Sequence, residues 1–295
     1  MNFLKCEFSK DIKKNYLDLI SKNNKFINDP FYLKTLNLWG KGIHVRNKKK
    51  HKVNDTHIEK LLIYFKLNKF AKSYLEIGCG EGIDIKYIVN NFNFIDIFAI
   101  DIGENIKKLS EKKEFDKVFF CRCDCLDLPF ENERFDIVYS YGVFHHTKNF
   151  ENAILEAKRV LNKGGMLIFY SYKKHANYFK SFGVGIETLL LKLFSKLSYN
   201  IVKLLCWFIS PFILISFSYP AQILKFFGSK KKYKYFPLWW GKKPSDIIPD
   251  LTDRLYAPIN IRFSEKQMYN QLLKVGFNKV KVHQTRDGLF CQVIK

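Results

Sequence analysis

The stretch LEIGCGEGID, residues 75–84, sets Gly78, Gly80 and Gly82 within five positions directly behind an apolar run. An acid, Glu76, stands two residues before the first of them. Glycine at this density lets a backbone turn tightly through positive φ and lets another molecule come close to it. On either side the hydrophobic pattern alternates between two periods. Residues 73–77, 95–100, 118–123, 135–140 and 166–170 read as short apolar strands. Helical patterns at 83–90, 105–113 and 152–161 fall between them, with Gly164-Gly165 as a turn. Strands spaced by helices in this rhythm predict a parallel sheet covered on both faces. Residues 264–275 then read as a helix ended by Gly276, and 280–284 and 290–294 as two closing strands. Thr56 and Glu59 have the spacing of a capping box, which predicts a helix opening there and running to about residue 67.

The glycine loop follows the first strand of this sheet, where two cofactor classes bind. A dinucleotide loop needs G-x-G-x-x-G so that a pyrophosphate can sit on the helix N-terminus. Here the third glycine position is Ile83, and Glu76 sets a carboxylate where phosphates lie. A cationic ligand without phosphate suits the loop better, and S-adenosylmethionine is such a ligand. Asp101 closes the second strand, where an acid can take both ribose hydroxyls, and Asp124 lies beyond the third, placed to accept from an adenine amino group. Glu76, Asp101 and Asp124 therefore end three strands on the ligand-binding edge of the sheet.

LEIGCGEG, AIDIG, CDCLDLPF, FDIVYSYGVFHHT and RVLNKGGMLIFY, in this order, resemble the class I S-adenosylmethionine-dependent methyltransferases of the methyltransferase-11 type. The resemblance covers residues 73–172. It implies an α/β, Rossmann-like class I methyltransferase sheet, mostly parallel with a C-terminal antiparallel hairpin; N-terminal helices and a helical insertion after strand five are read from the rest of the chain. The chain as a whole reads as an N-terminal helical, basic extension over 1–72, the cofactor core over 73–172, the insertion over 173–258 and a C-terminal completion of the sheet over 259–295. By the same resemblance Glu76, Gly78, Cys79 and Gly80 hold the methionine end of the cofactor, Asp101 the ribose, and Asp124 with Cys125 the adenine. Ile102 and Ser140 complete the expected cofactor-binding set. YSYKKHANYF, residues 170–179, and FSEKQMYNQLLKVGF, residues 263–277, are similar to a bacterial subgroup acting on small or lipophilic acceptors.

Two histidines, His145 and His146, follow strand four, near where the donor methyl is expected. Either can serve as a general base that takes the acceptor's proton, or both can hold the loop. The Asn/Asp-Pro-Pro-Tyr motif of amino-group methyltransferases is absent, which favours an oxygen or carbon acceptor. Cys121, Cys123 and Cys125 alternate along a strand, so neighbouring thiols lie roughly 6.6 Å apart and do not close around one point. Buried thiols are expected there, and no metal.

The 295 residues carry a net charge of +22 that belongs to the periphery. Residues 76–169 are mildly acidic, while 1–75 and 170–250 hold most of the excess. A basic periphery attracts nucleic acid, anionic lipid or an acidic substrate, and a composition rich in Lys, Asn, Ile and Phe yields the same excess without a partner. Seven cysteines, an odd number, and an N-terminus without an apolar leader core point to reduced thiols in a cytoplasmic protein. Within the insertion, residues 204–224 carry no charge. A single membrane crossing there would part the closing strands from their sheet, so a hydrophobic lid and a surface dipping into the membrane interface remain. Lys192, Lys196 and Lys203, with Tyr199, share one face of a helix expected over 186–209, and SKKKYKY follows at 229–235. The expected protein is thus an enzyme methylating a small, apolar or lipid-linked acceptor, cytoplasmic and peripheral to the inner face of the membrane. A tRNA methyltransferase of the wobble-uridine type and a non-catalytic partner subunit of the same fold are the alternatives.

Overall fold

In the computed structural model, described over residues 4–5, 15–21, 26, 28–40, 56–174, 189, 193–194, 197–228, 236, 238, 241–285 and 288–295, apolar strands alternate with helices. The chain divides into two compact units, 1–176 with 259–295, and 177–258. In the first unit the elements are β1 (Tyr16–Asp18), α1 (Pro30–Thr35), α2 (His57–Leu62), β2 (Ser73–Ile77), α3 (Ile83–Asn91), β3 (Asp96–Asp101), α4 (Asn105–Ser110) and β4 (Val118–Arg122). They continue through β5 (Phe135–Tyr141), α5 (Phe150–Val160) and β6 (Leu161–Ser171). The second unit contributes α6 (Tyr199–Ile213), α7 (Tyr219–Phe226) and α8 (Pro244–Tyr256). The first unit resumes with α9 (Glu265–Lys274), β7 (Lys279–Gln284) and β8 (Leu289–Ile294).

The sheet has eight strands in the order β1-β4-β3-β2-β5-β6-β8-β7. All pairs are parallel except β6 with β8 and β8 with β7. The mostly parallel sheet with an antiparallel C-terminal hairpin is thus present. Period-two alternation divides the strand residues between two cores. Leu75, Ile77, Phe98 and Val138 face α5 and α9, where Ala153, Ala157, Met268 and Leu272 meet them. Tyr74, Ala99, Phe120 and Ile137 face the other way, onto Ile58, Leu61, Ile85, Ile88 and Leu109 of α2, α3 and α4.

Three local expectations are corrected. The N-terminal extension is not wholly helical: Tyr16–Asp18 adds a parallel edge strand to β4, anchored by Arg122, whose guanidinium lies 3.5 Å from Asp18. The capping box at Thr56 does not form. The Thr56 hydroxyl donates to the Glu59 carboxylate, and the first amides of α2, those of His57 and Ile58, go instead to Asp84 Oδ1 at 2.7 and 3.2 Å. That helix also stops at Leu62 rather than near 67. The helix expected over 186–209 is interrupted, because Ser198 is extended (φ −70°, ψ 156°) and α6 begins only after it. Lys192, Lys196 and the 229–235 cluster lie outside the described residues.

Candidate active site

The carboxyl ends of β2, β3, β4 and β5 open onto a cavity of about 280 Å³ within the first unit. The glycine loop forms one wall. Gly78 (φ +80°) and Gly80 (φ +50°) sit in the left-handed region that strains other residues. A Cβ on Gly78 would meet Val143 Cγ2 at 2.1 Å, so this turn also depends on the loop after β5. Among the described residues nothing lies within 4 Å of the place a Gly80 Cβ would occupy, which leaves an open face that a ligand can approach.

Asp101 ties the loop to β3. Its Oδ2 accepts from Gly80 N at 2.9 Å and its Oδ1 from Gly103 N at 2.7 Å. Burial pushes its pKa up. A carboxylate has about four lone-pair sites, so two amides leave room for two hydroxyls. Asp124 sits beyond β4, 8% exposed. Its Oδ1 accepts from Leu126 N at 3.0 Å, and its other oxygen accepts from the Tyr32 hydroxyl.

Of the residues expected to hold a cofactor, Gly78, Gly80, Asp101, Ile102, Asp124 and Cys125 line the cavity. Glu76, Cys79 and Ser140 do not. Ser140 is fully buried and donates to Ile77 O at 3.0 Å, joining β5 to β2. Cys79 packs into the core around α3, and its amide donates to Ile100 O at 3.0 Å. Glu76 lies beneath the surface, 3% exposed, and its Oε2 has no hydrogen-bond partner among the described residues. Burial, then the nearby Asp84 and Asp101, push its carboxyl far above the usual carboxylate range. A buried acid whose charged neighbours are both acids is stabilised by a cation arriving next to it. That electrostatic demand matches the ammonium and sulfonium of S-adenosylmethionine and opposes a pyrophosphate. The residues present fit this cofactor.

The two histidines, equivalent in the sequence, part company in the fold. His145 is fully buried, neither ring nitrogen has a hydrogen-bond partner among the described residues, and its ring packs against Tyr172 with centroids 4.1 Å apart. Burial holds its pKa well below the usual histidine range. It does not reach the cavity, which corrects its candidacy as a base. His146 lines the cavity. Its Nδ1 lies 2.8 Å from the carbonyl oxygen of Ile259. A carbonyl only accepts, so Nδ1 carries the proton in the neutral ring and Nε2 is the basic nitrogen.

The sequence alone did not reveal the wall supplied by the N-terminal segment. Phe31, Tyr32, Thr35 and Trp39 line the cavity from α1 and the π-helical turn after it. The Trp39 ring centroid lies 4.7 Å from that of His146. Lys148, after the histidines, pairs with Asp29 at the start of α1 and lies over the Phe31 and Tyr32 rings at 5.1 and 4.9 Å. The legible signal was the cap Asp29-Pro30 followed by Phe31, Thr35 and Trp39 four residues apart, one face of a short helix. Cys121, Cys123 and Cys125, which invite a metal reading, belong to the apolar core, and burial pushes the Cys123 and Cys125 thiols up.

Residues 75–169 match the methyltransferase domain family of the methyltransferase-11 type. The chain is 31% identical over 104 residues to a phthiotriol/phenolphthiotriol dimycocerosates methyltransferase of Mycobacterium leprae, covering 35% of this chain and 38% of that protein. It is 28% identical over 100 residues to a fatty-acid O-methyltransferase of Mycolicibacterium smegmatis, covering 34% and 36%. The matches thus span little more than a third of the length of these curated relatives. Among solved structures, human N-acetylserotonin methyltransferase in complex with SAM superposes with a TM-score of 0.47 at 13% identity, covering 80% of this chain and 51% of that one.

Proposed function

We propose that this protein transfers a methyl group from S-adenosylmethionine to a small apolar or lipid-linked acceptor. The observation that carries the reading is one cavity bordered by the Gly78–Gly80 turn, Asp101 and Asp124 on one side and by His146 on the other. The cofactor, when bound, supplies an electrophilic methyl on a positively charged sulfur. Asp101 would hold the ribose hydroxyls and Asp124 the adenine amino group, and Glu76 would answer the cofactor's positive charge from beneath the glycine turn.

His146 would accept at Nε2 the proton of the acceptor's reacting group as that group takes up the methyl. Orientation of the reactants can supply about 7–11 kcal/mol, and a general base about 3–5 kcal/mol. Positioning by the aromatic wall is therefore the larger expected contribution. Phe31, Trp39 and Val143 give the cavity an apolar lining that suits a greasy acceptor. The names of the curated relatives, which act on lipids, support the same class.

Incubation with methyl-labelled donor and, separately, a bacterial lipid extract or total tRNA tests the reading. Label in the lipid fraction, lost in Asp101→Ala, is the expected result. Label in tRNA assigns the wobble-uridine alternative, and label in neither, with donor still bound, assigns a non-catalytic partner.

A further inference from the structure

The unit formed by residues 177–258 inverts the polarity of a soluble helix pair. From Tyr199 to Phe226 the chain is helical throughout, α6 passing through a π turn (Leu214–Ser218) into α7. The stripe it buries is Val202, Cys206, Ser210, Leu214, Ser218 and Ala221. Half of that stripe is Ser or Cys, with the Ser210 hydroxyl donating to Trp207 O and that of Ser218 to Leu238 O. The large apolar side chains point outward instead. Leu204, Trp207, Phe208, Phe212, Ile215 and Phe226 are between 55% and 86% exposed. Scattered exposed hydrophobes are ordinary, but a continuous row of this size marks a surface that is covered in use.

Composition and topology say what covers it. Residues 204–224 hold no charge and Lys203 and Lys225, both exposed, bracket them. Twenty-one helical residues extend about 31 Å, the width of a bilayer's apolar core. A crossing is nevertheless ruled out by the sheet, since Met166–Ser171 before the run pairs residue for residue with Leu289–Ile294 after it. Both ends must return to one side, and no second uncharged run of such length exists in 177–258. The partner helix α8 is its polar counterpart: it carries Asp246, Asp250, Asp253 and Arg254, with Arg254 paired to Asp250 at 3.1 Å. Lys242 and Lys243 are exposed just before it.

We infer that residues 199–227 lie in the plane of an anionic phospholipid surface, their aromatic and aliphatic row sunk to the acyl boundary and their flanking lysines against the head groups. An amphipathic pair with one apolar side and a basic fringe binds in this way. The inference does not depend on the methyl-transfer reading.

Flotation of the full chain with vesicles of phosphatidylcholine, with and without phosphatidylglycerol, tests it. The protein floats with the anionic vesicles, and Phe208→Ser with Phe212→Ser lowers partitioning by at least about a hundredfold. Far-ultraviolet circular dichroism checks that the double variant keeps its helices. Lys203→Glu with Lys225→Glu, which leaves the apolar row intact, weakens binding to anionic vesicles and not to neutral ones. Wild-type protein that stays soluble beside the vesicles overturns the inference. So does a stable dimer, seen by light scattering without lipid, that dissociates in the Phe208/Phe212 variant, because the face is then covered by a second copy.

Discussion

The hydroxyl of Tyr32 donates to the carboxylate of Asp124, 92 positions further along the chain. Burial and this bond together hold the phenol well above its ordinary pKa, so it stays a donor at any physiological pH. The contact joins α1 to the end of β4 and fixes the acid assigned to adenine. Tyr32→Phe removes a hydrogen bond to a charged acceptor, worth about 1.5–3 kcal/mol. The expected outcome is S-adenosylhomocysteine affinity lowered roughly tenfold by calorimetry, with faster proteolysis within 28–39. Unchanged affinity with unchanged proteolysis would show that the segment does not position Asp124.

Asp84 is the corresponding support on the other face of the glycine loop. Only 5% exposed, it accepts from His57 N, Ile58 N and, through Oδ2, the Tyr139 hydroxyl at 2.8 Å. One side chain thereby caps α2, and it also pins α3 to β5. Asp84→Ala strands three donors, of which Ile58 N and the Tyr139 hydroxyl are buried. The loss is expected to be about 2–4 kcal/mol, a fall in melting temperature of roughly 5–10 °C. Calorimetric melting reads it, and a change under 2 °C, well below that range, would mean that water replaces the carboxylate.

Glu76 gives a pH dependence of definite sign. Its folded pKa is raised, by burial first and then by Asp84 and Asp101. The acid therefore supports the fold fully below its unfolded pKa, near 4.5, and this support is lost as pH rises through the folded value. Glu76→Gln should match wild type in stability at pH 4 and exceed it at pH 8, by about 1–3 kcal/mol. The same substitution should weaken S-adenosylhomocysteine binding, because the counter-charge to the ligand ammonium is gone. Parallel stability curves from pH 4 to 8 would mean that Glu76 ionises inside the fold as it does outside.

The core strands were legible because their apolar runs are short and largely buried; 73–77 agrees with β2 to the residue. Asp101 and Asp124 were legible because strand ends and the glycine turn fix them within a few residues of chain. Tyr32 was not, since its role depends on a contact across 92 residues that no local period encodes. The capping box at Thr56 failed for a related reason: Asp84, 26 residues from Ile58, offers the amides of α2 a better acceptor than the local side chain. His145 and His146 are adjacent and chemically identical, so only the turn of the 3-10 segment Phe144–His146 decides which one faces the cavity.

That turn leads to the last prediction. The Ile259 carbonyl holds the proton on Nδ1 of His146, leaving Nε2 to accept one, and Trp39 packs beside the ring. Removing a general base typically slows turnover by about 10²–10⁴-fold while leaving ligand affinity in place. His146→Gln, which retains some bulk and a hydrogen-bonding end, should therefore keep S-adenosylhomocysteine affinity within about threefold and lose turnover in that range. His145→Phe serves as the contrast, since it alters a buried ring that touches Tyr172 and not the cavity. Its turnover should stay within about tenfold of wild type. Full turnover in His146→Gln would remove the base and leave methyl transfer to alignment alone.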